Sequence, residues 1–360
     1  MAEKNIRRIV VKVGTHLVTK QDGTLDTAMM RRLVSDIAAL RQKGIDTILV
    51  SSGAVAAGKR RVTTKIPTDP VEKRQVLAAI GQISLVETYQ ELFTAHEMVT
   101  AQVLLTREDF RDRTHYINIR RCLEALVKHH IVPVLNENDV VAVTEKMFSD
   151  NDELAGLVAS MMNVDMLIFL SAVDGIYARE GEKNSLIKVI AADDQSWKQC
   201  IRSDISQRGR GGMASKCRIA KRVSHLGIQT HIANGQTPHI LLDIIHGKNP
   251  GTVFLEEERI SMIKKWIATS ERDVRGSIVV NNGAKEAIFQ TEAARSILPV
   301  GIVRIDGSFE KGDILEILDE KGERLGLGVA QYGAETAKVS CGKKGKKPLI
   351  HYNFLYKEST

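Results

Sequence analysis

The feature that most constrains this chain is an alternation filling its first two-thirds, in which short, apolar, β-branched runs are separated by longer amphipathic ones. RIVVKVG (8–14), TILVSSGA (47–54), TAQVLLT (100–106), IVPVLNEND (131–139), DMLIFLSAVDGIY (165–177) and IQTHIANG (228–235) read as strands, several running on into a polar turn. Strands that are apolar at nearly every position must be covered on both faces, which is the pattern of a mostly parallel sheet between two layers of helices. The intervening runs supply those helices. DTAMMRRLVSDIAALRQKG (26–44) has Asp26 as its N-cap and Gly44 as its stop. VEKRQVLAAIGQISLVETYQELFTAHE (71–97) is a long helical pattern with a break or bend expected near Gly81. YINIRRCLEALVKHH (116–130), ELAGLVASMMNV (153–164) and MASKCRIAKRVSHLG (213–227) complete the set.

In such sheets ligands bind beyond the carboxyl ends of the strands. KVGT, SSGA, NEND, LSAVDG and ANG each follow an apolar run, and five polar turns at equivalent positions mark one binding face. Lys12 lies inside the first strand, where a charge is costly unless it meets a partner; an edge strand with the lysine reaching solvent is the alternative. The stretch RGRGGMASK (208–216) opens a helix with three glycines and three cations, but lacks the Gly-Lys-Ser/Thr ending of a Walker A loop. Between Asp204 and Asp243 there is no acidic residue, while Arg208, Arg210, Lys216, Arg218, Lys221 and Arg222 all fall there. Glycines before a helix N-terminus let backbone N–H groups approach an anion. Lys12 and Lys216 could thus bracket a transferring phosphoryl group, a reaction in which positioning and charge neutralisation do most of the catalysis.

The stretches NENDVVAV and SDNDELAG bring Asn136, Asp139, Asp150, Asn151 and Asp152. They suit a polar amino-acid substrate, and Asp152 could orient lysines or reach Mg²⁺; the second cluster equally suits the cap of the helix beginning near Glu153. Ser52 lacks the context of a nucleophile elbow, so holding a carboxylate is its more natural task. The histidines and cysteines show no metal-binding spacing, and no metal ligands are assigned.

Past residue 266 the pattern changes to short strands with turn signals (NNG, DG, KGD, EKGE) and one helical run, AARSILPVG, which implies a small, mostly β, barrel-like second domain. The expected boundaries are 1–267 and 276–356. Residues 276–360 hold 12 Lys/Arg against 11 Asp/Glu, so all but +1 of the net charge of +7 sits elsewhere, and GKKGKK (342–347) reads as a solvated turn. Cys122, Cys200, Cys217 and Cys341 are widely spaced, and the N-terminus has no signal-peptide h-region. Reduced thiols and a cytoplasmic location are expected.

Taken together, VVKVGT, VSSGAVAAG, LAAIGQ, IVPVLNENDVVAV, DNDELA and GRGGMASK resemble, in order, the glutamate 5-kinase family, whose members carry an amino-acid-kinase fold. GSIVVNNGAKEAI, SILPVGIVRIDGSFEKGD and GLGVAQY extend the resemblance into a shortened C-terminal PUA domain. The resemblance implies an α/β/α sandwich with a PUA barrel and transfer of the ATP γ-phosphoryl to the side-chain carboxylate of L-glutamate with Mg²⁺, the first step of proline synthesis. It further implies a homo-oligomer, and hand-over of the product to a glutamyl-phosphate reductase. Carried over residue by residue, Lys12 and Lys216 stabilise the transferring group and Asp152 holds them. Ser52, Asn136, Asp139 and Asn151 hold glutamate. Lys12, Ser171, Ala172 and the loop of Arg210, Gly211, Gly212, Met213, Ala214, Ser215 and Lys216 bind ATP. Ala172 stands where the family has Asp, and Arg210 where it has Thr. Rivals are an acetylglutamate kinase or aspartokinase and, in another class, an RNA-binding protein, against which the near-neutral tail argues.

Overall fold

The computed structural model describes residues 5–62, 67–141, 151–179, 182–191, 194, 197, 212–257, 261–269, 274–289 and 295–358. The chain divides into two compact units, Met1–Arg259 and Ile260–Thr360. Among the described residues the first is built on eight strands: β1 Arg8–Val13, β2 Asp46–Ser51, β3 Thr100–Leu105, β4 Val132–Glu137, β5 Met166–Ser171, β6 Val189–Ile190, β7 Gln229–Asn234 and β8 Thr252–Phe254. Their order is β3-β4-β2-β1-β5-β7-β8-β6, with β7–β8 antiparallel and the other pairs parallel. The mostly parallel sheet expected from the apolar runs is therefore present. Strand β7, expected to be the last, is followed by β8, which with the two-residue β6 carries the sheet further.

Alternation along the strands sorts side chains into two layers. Val10, Ile48, Val50, Leu135, Leu167 and Phe169 face the helices Arg113–Lys128, Asn151–Met161 and Met213–His225. Ile9, Val11, Val13, Leu49, Val134, Ile168 and Leu170 face Thr27–Gln42, Pro70–Thr94 and Ile240–Ile245. This parity positions the polar residues of the strands. Lys12 shares the face of Val10, and Asn136 that of Val134.

Helix Pro70–Thr94 runs unbroken through Gly81, contrary to the expected break. The glycine serves a crossing instead. A Cβ at Gly81 would lie 1.8 Å from the Ala54 carbonyl oxygen, and one at Gly58 would lie 1.9 Å from that of Leu77. The helices Ala54–Arg61 and Pro70–Thr94 thus touch backbone to backbone, and neither glycine tolerates a side chain.

The second unit holds a five-stranded sheet, β10-β9-β11-β12-β13 in order, of β9 Val274–Val280, β10 Ile302–Gly307, β11 Ile314–Leu318, β12 Arg324–Ala330 and β13 Ile350–Lys357. Its mostly β character matches the sequence reading, but its helices differ. NNG opens helix Asn282–Phe289, because Asn281 Oδ1 accepts the Ala284 N–H as a cap. Within AARSILPVG, the described residues 295–301 form a bridge at Ile297 and a 3₁₀ turn at Pro299–Gly301. Helix Met262–Thr269, which the sequence reading left with the first domain, buries Ile267 against Ile314, Leu327 and Val329 of the second unit. No helix among the described residues is long and apolar enough to cross a membrane.

Candidate active site

Strand β1 lies in the middle of the sheet, with Lys12 registered between Val50 of β2 and Phe169 of β5. An edge-strand lysine reaching solvent is thereby excluded, and Lys12 is only 4% exposed. Its parity points it at the layer containing Asn151–Met161 and Met213–His225. Asp152, in the first turn of the former helix, is fully buried. Lys12 Nζ lies 2.5 Å from Asp152 Oδ1, and Lys216 Nζ lies 3.0 Å from Asp152 Oδ2. Lys216 sits in the first turn of Met213–His225 and is itself buried. One carboxylate therefore gathers two ammonium groups from residues 204 positions apart. Buried charges persist when paired, and two ammonium groups held together this way can meet an added anion. Gly14 keeps the space beside Lys12 open, since a Cβ there would lie 3.7 Å from Nζ.

Next to this group runs a relay of amides. Asn151 Nδ2 donates to Ser52 Oγ at 2.7 Å and to Asn136 Oδ1 at 2.9 Å. Asn136 Oδ1 also accepts the backbone N–H of Glu137 at 2.9 Å, and Asn136 Nδ2 donates to Gln82 Oε1 at 2.9 Å. Asn151 Oδ1 is buried with no hydrogen-bond partner among the described residues. Just past β4, buried Asp139 receives Arg74 Nε at 2.9 Å and Nη2 at 2.7 Å, both on Oδ1; Arg74 Nη2 also lies 3.4 Å from Glu137 Oε2. Arg74 and Gln82 both come from helix Pro70–Thr94. Ser52 follows β2, where Gly53, at φ 116°, turns the chain into the next helix.

The residues expected to bind nucleotide are partly described. Ser171 ends β5, half-buried, and Ala172 is exposed beside it. No side chain caps helix Met213–His225 at Gly212, and Ser215 Oγ is buried without a hydrogen-bond partner among the described residues. Met213 and Ala214 pack against the core, which anchors this helix end. Arg210 and Gly211 lie outside the described residues, as do Arg208 and Asp150. Asp174 accepts from the Tyr177 hydroxyl at 2.7 Å and from Asn234 Nδ2 at 2.9 Å, tying the turn after β5 to the end of β7. The hydrogen bond to Asp174 raises the Tyr177 pKa, with smaller contributions from burial and the charge of Asp174.

Lys12, Asp152 and Lys216 thus form one cluster, and Ser52, Asn136 and Asn151 a second, linked through the adjacent residues Asn151 and Asp152. Asp139 stands apart with Arg74. Sequence reasoning missed Arg74 and Gln82. Their spacing, with Ala78 midway between them, is the i, i+4, i+8 signal of one helix face.

Residues 7–234 match the model of the amino acid kinase family, and residues 276–352 match the PUA domain. The chain is 49% identical over 350 residues to the glutamate 5-kinase of Chlorobaculum tepidum, covering 97% of each chain. It is 42% identical over 362 residues to that of Bacteroides thetaiotaomicron, covering 99% of this chain and 100% of the relative. With that of Alcanivorax borkumensis the identity is 38% over 356 residues, covering 98% and 94%. A buried lysine pair on one carboxylate, reached from the first strand and a glycine-led helix, sits within the part of the chain these matches span, and the chain belongs to the amino acid kinase family, among its glutamate 5-kinases with a C-terminal PUA domain.

Proposed function

We propose that this chain transfers the γ-phosphoryl group of ATP, taken as its Mg²⁺ complex, to the side-chain carboxylate of L-glutamate. The observation that carries this reading is the convergence of Lys12 and Lys216 on Asp152, beside the amide pocket of Ser52 and Asn151. A carboxylate oxygen of glutamate attacks the γ-phosphorus. The bond to the β,γ-bridging oxygen breaks, its electron pair leaves with ADP, and L-glutamyl 5-phosphate forms. The substrate is the nucleophile, so no covalent enzyme intermediate is required. The two ammonium groups offset negative charge on the equatorial phosphoryl oxygens, and Asp152 keeps them from separating.

Ser52, Asn151 and Asp139 are the proposed contacts to glutamate. The end of helix Met213–His225 is the proposed phosphate cradle, with Ser215 Oγ available to an anion. Mg²⁺ is proposed to arrive on the nucleotide phosphates, the usual way this ion enters phosphoryl-transfer sites. The product is a reactive acyl phosphate, which favours hand-over to a glutamyl-phosphate reductase in proline synthesis. A cytoplasmic homo-oligomer is part of the same proposal.

Trapping the product with hydroxylamine while following ADP release tests the reading. Glutamate with ATP and Mg²⁺ is expected to give the hydroxamate. Turnover of aspartate or N-acetylglutamate without turnover of glutamate would overturn it.

A further inference from the structure

The hydrogen bonds around Asn151 determine which way each polar group of the pocket faces. The starting point is the backbone N–H of Glu137, which can only donate. The Asn136 atom that receives it at 2.9 Å must therefore be the carbonyl oxygen, and Asn136 Nδ2 must be the atom facing Gln82 Oε1. That same carbonyl oxygen lies 2.9 Å from the Asn151 side chain, which must turn its NH₂ toward it. Turning the Asn151 amide over would set two oxygens against each other. Both Asn151 amide hydrogens are then used, one on Asn136 and one on Ser52 Oγ.

Two consequences reach the pocket. Asn151 has only its carbonyl oxygen left, buried and without a donor among the described residues. Ser52 Oγ, already accepting from Asn151, has its own O–H free to donate. The pocket thus offers a neutral acceptor at Asn151 and a donor at Ser52, and Asp139, proposed above as a glutamate contact, would add a second acceptor. An α-amino acid presents complementary groups, with its ammonium meeting the acceptors and a carboxylate meeting the hydroxyl. Asn136 is buried, and both lone pairs of its Oδ1 and one Nδ2 hydrogen are taken by protein. Most of its hydrogen-bonding capacity therefore serves its neighbours.

We infer that Asn136 is a positioning residue that sets the donor–acceptor polarity of the pocket, and through Asn151 its preference for an amino acid over the same dicarboxylate without the amino group. This rests on the proposed glutamate kinase activity. The experiment compares L-glutamate with glutarate, measured as substrate or competitive inhibitor, in the wild-type protein and in Asn136→Leu, Asn136→Asp and Ser52→Ala. Leucine removes the acceptor that orients Asn151, and the preference for glutamate over glutarate is expected to fall by roughly 10- to 100-fold, the loss that accompanies one hydrogen bond to a charged group. Aspartate keeps an oxygen against both the Glu137 N–H and Asn151, and is expected to hold the preference at or above the wild-type ratio. Ser52→Ala weakens a contact that both ligands make, so the two affinities should fall together. A merely structural loss at Asn136 would likewise lower both in parallel, leaving the ratio unmoved. An unchanged ratio in Asn136→Leu overturns the inference. Should that variant not fold, a collapsed ratio in Asn136→Asp overturns it equally. A wild-type protein inactive on glutamate would instead defeat the proposed function.

Discussion

Replacing Asp152 by asparagine changes one oxygen to an NH₂ group and almost nothing in volume, yet it should be among the most damaging substitutions available to the first unit. The carboxylate is fully buried, with ammonium groups at 2.5 and 3.0 Å. At an effective dielectric near 20, each attraction is on the order of 6 kcal/mol before desolvation is subtracted. Breaking a buried pair from one side typically costs about 3–5 kcal/mol, because a charge is left without its partner. In Asp152→Asn two like charges are left together, so the unfolding free energy measured with denaturant is expected to fall by at least that range. The same change should lower kcat about 100-fold or more, since the lysines lose their common anchor. A third readout separates electrostatics from packing. A non-hydrolysable ATP analogue brings anionic oxygens to the two ammonium groups, and should raise the Tm of the variant more than that of the wild type at equal saturation. Stability within about 1 kcal/mol of wild type, together with kcat within threefold, would refute the argument that Asp152 holds the two charges.

Four further expectations follow from the same geometry. Lys216→Met removes one ammonium group and leaves Asp152 held by Lys12, so kcat should drop about 100- to 1,000-fold while denaturant stability falls far less than in Asp152→Asn; parallel losses in the two variants would contradict this. Asp139→Ala should raise the KM for glutamate while the KM for ATP stays put, and a change confined to ATP would show the residue to be misplaced. Gly81→Ala gains about 1 kcal/mol in helix propensity but drives a Cβ to 1.8 Å from the Ala54 carbonyl, so calorimetry should report a net loss of stability. Buried His231 has its pKa lowered by desolvation to about 4. A group whose folded pKa lies below its unfolded value supports the fold while neutral, so this contribution is complete above about pH 6.5 and is lost toward pH 4. It amounts to about 3 kcal/mol, and His231→Gln should flatten that part of the stability–pH curve.

What could be read in advance and what could not divide along a physical line. Strands apolar at every position announce a covered parallel sheet, and Lys12 within one of them announces a charge with a partner, because the cost of the alternative is large and local. Short elements gave no such signal. Strands β6 and β8, of two and three residues, are too brief to show a period, and the cap formed by Asn281 made a helix start look like a hairpin turn. Arg74 and Gln82 were hidden for a different reason. Helix Pro70–Thr94 carries apolar residues around much of its circumference, so its sequence alone does not say which face meets β4. One packing constraint on this helix, the close contact of Gly81 with Ala54 on a second helix, is invisible to periodicity. As packed, one stripe of the helix presents an arginine to Asp139 and a glutamine to Asn136. The buried charges are thus legible because burying them is costly wherever the chain runs, whereas the polar groups that meet Asp139 and Asn136 depend on how helix Pro70–Thr94 packs, a property that its own stretch does not state alone.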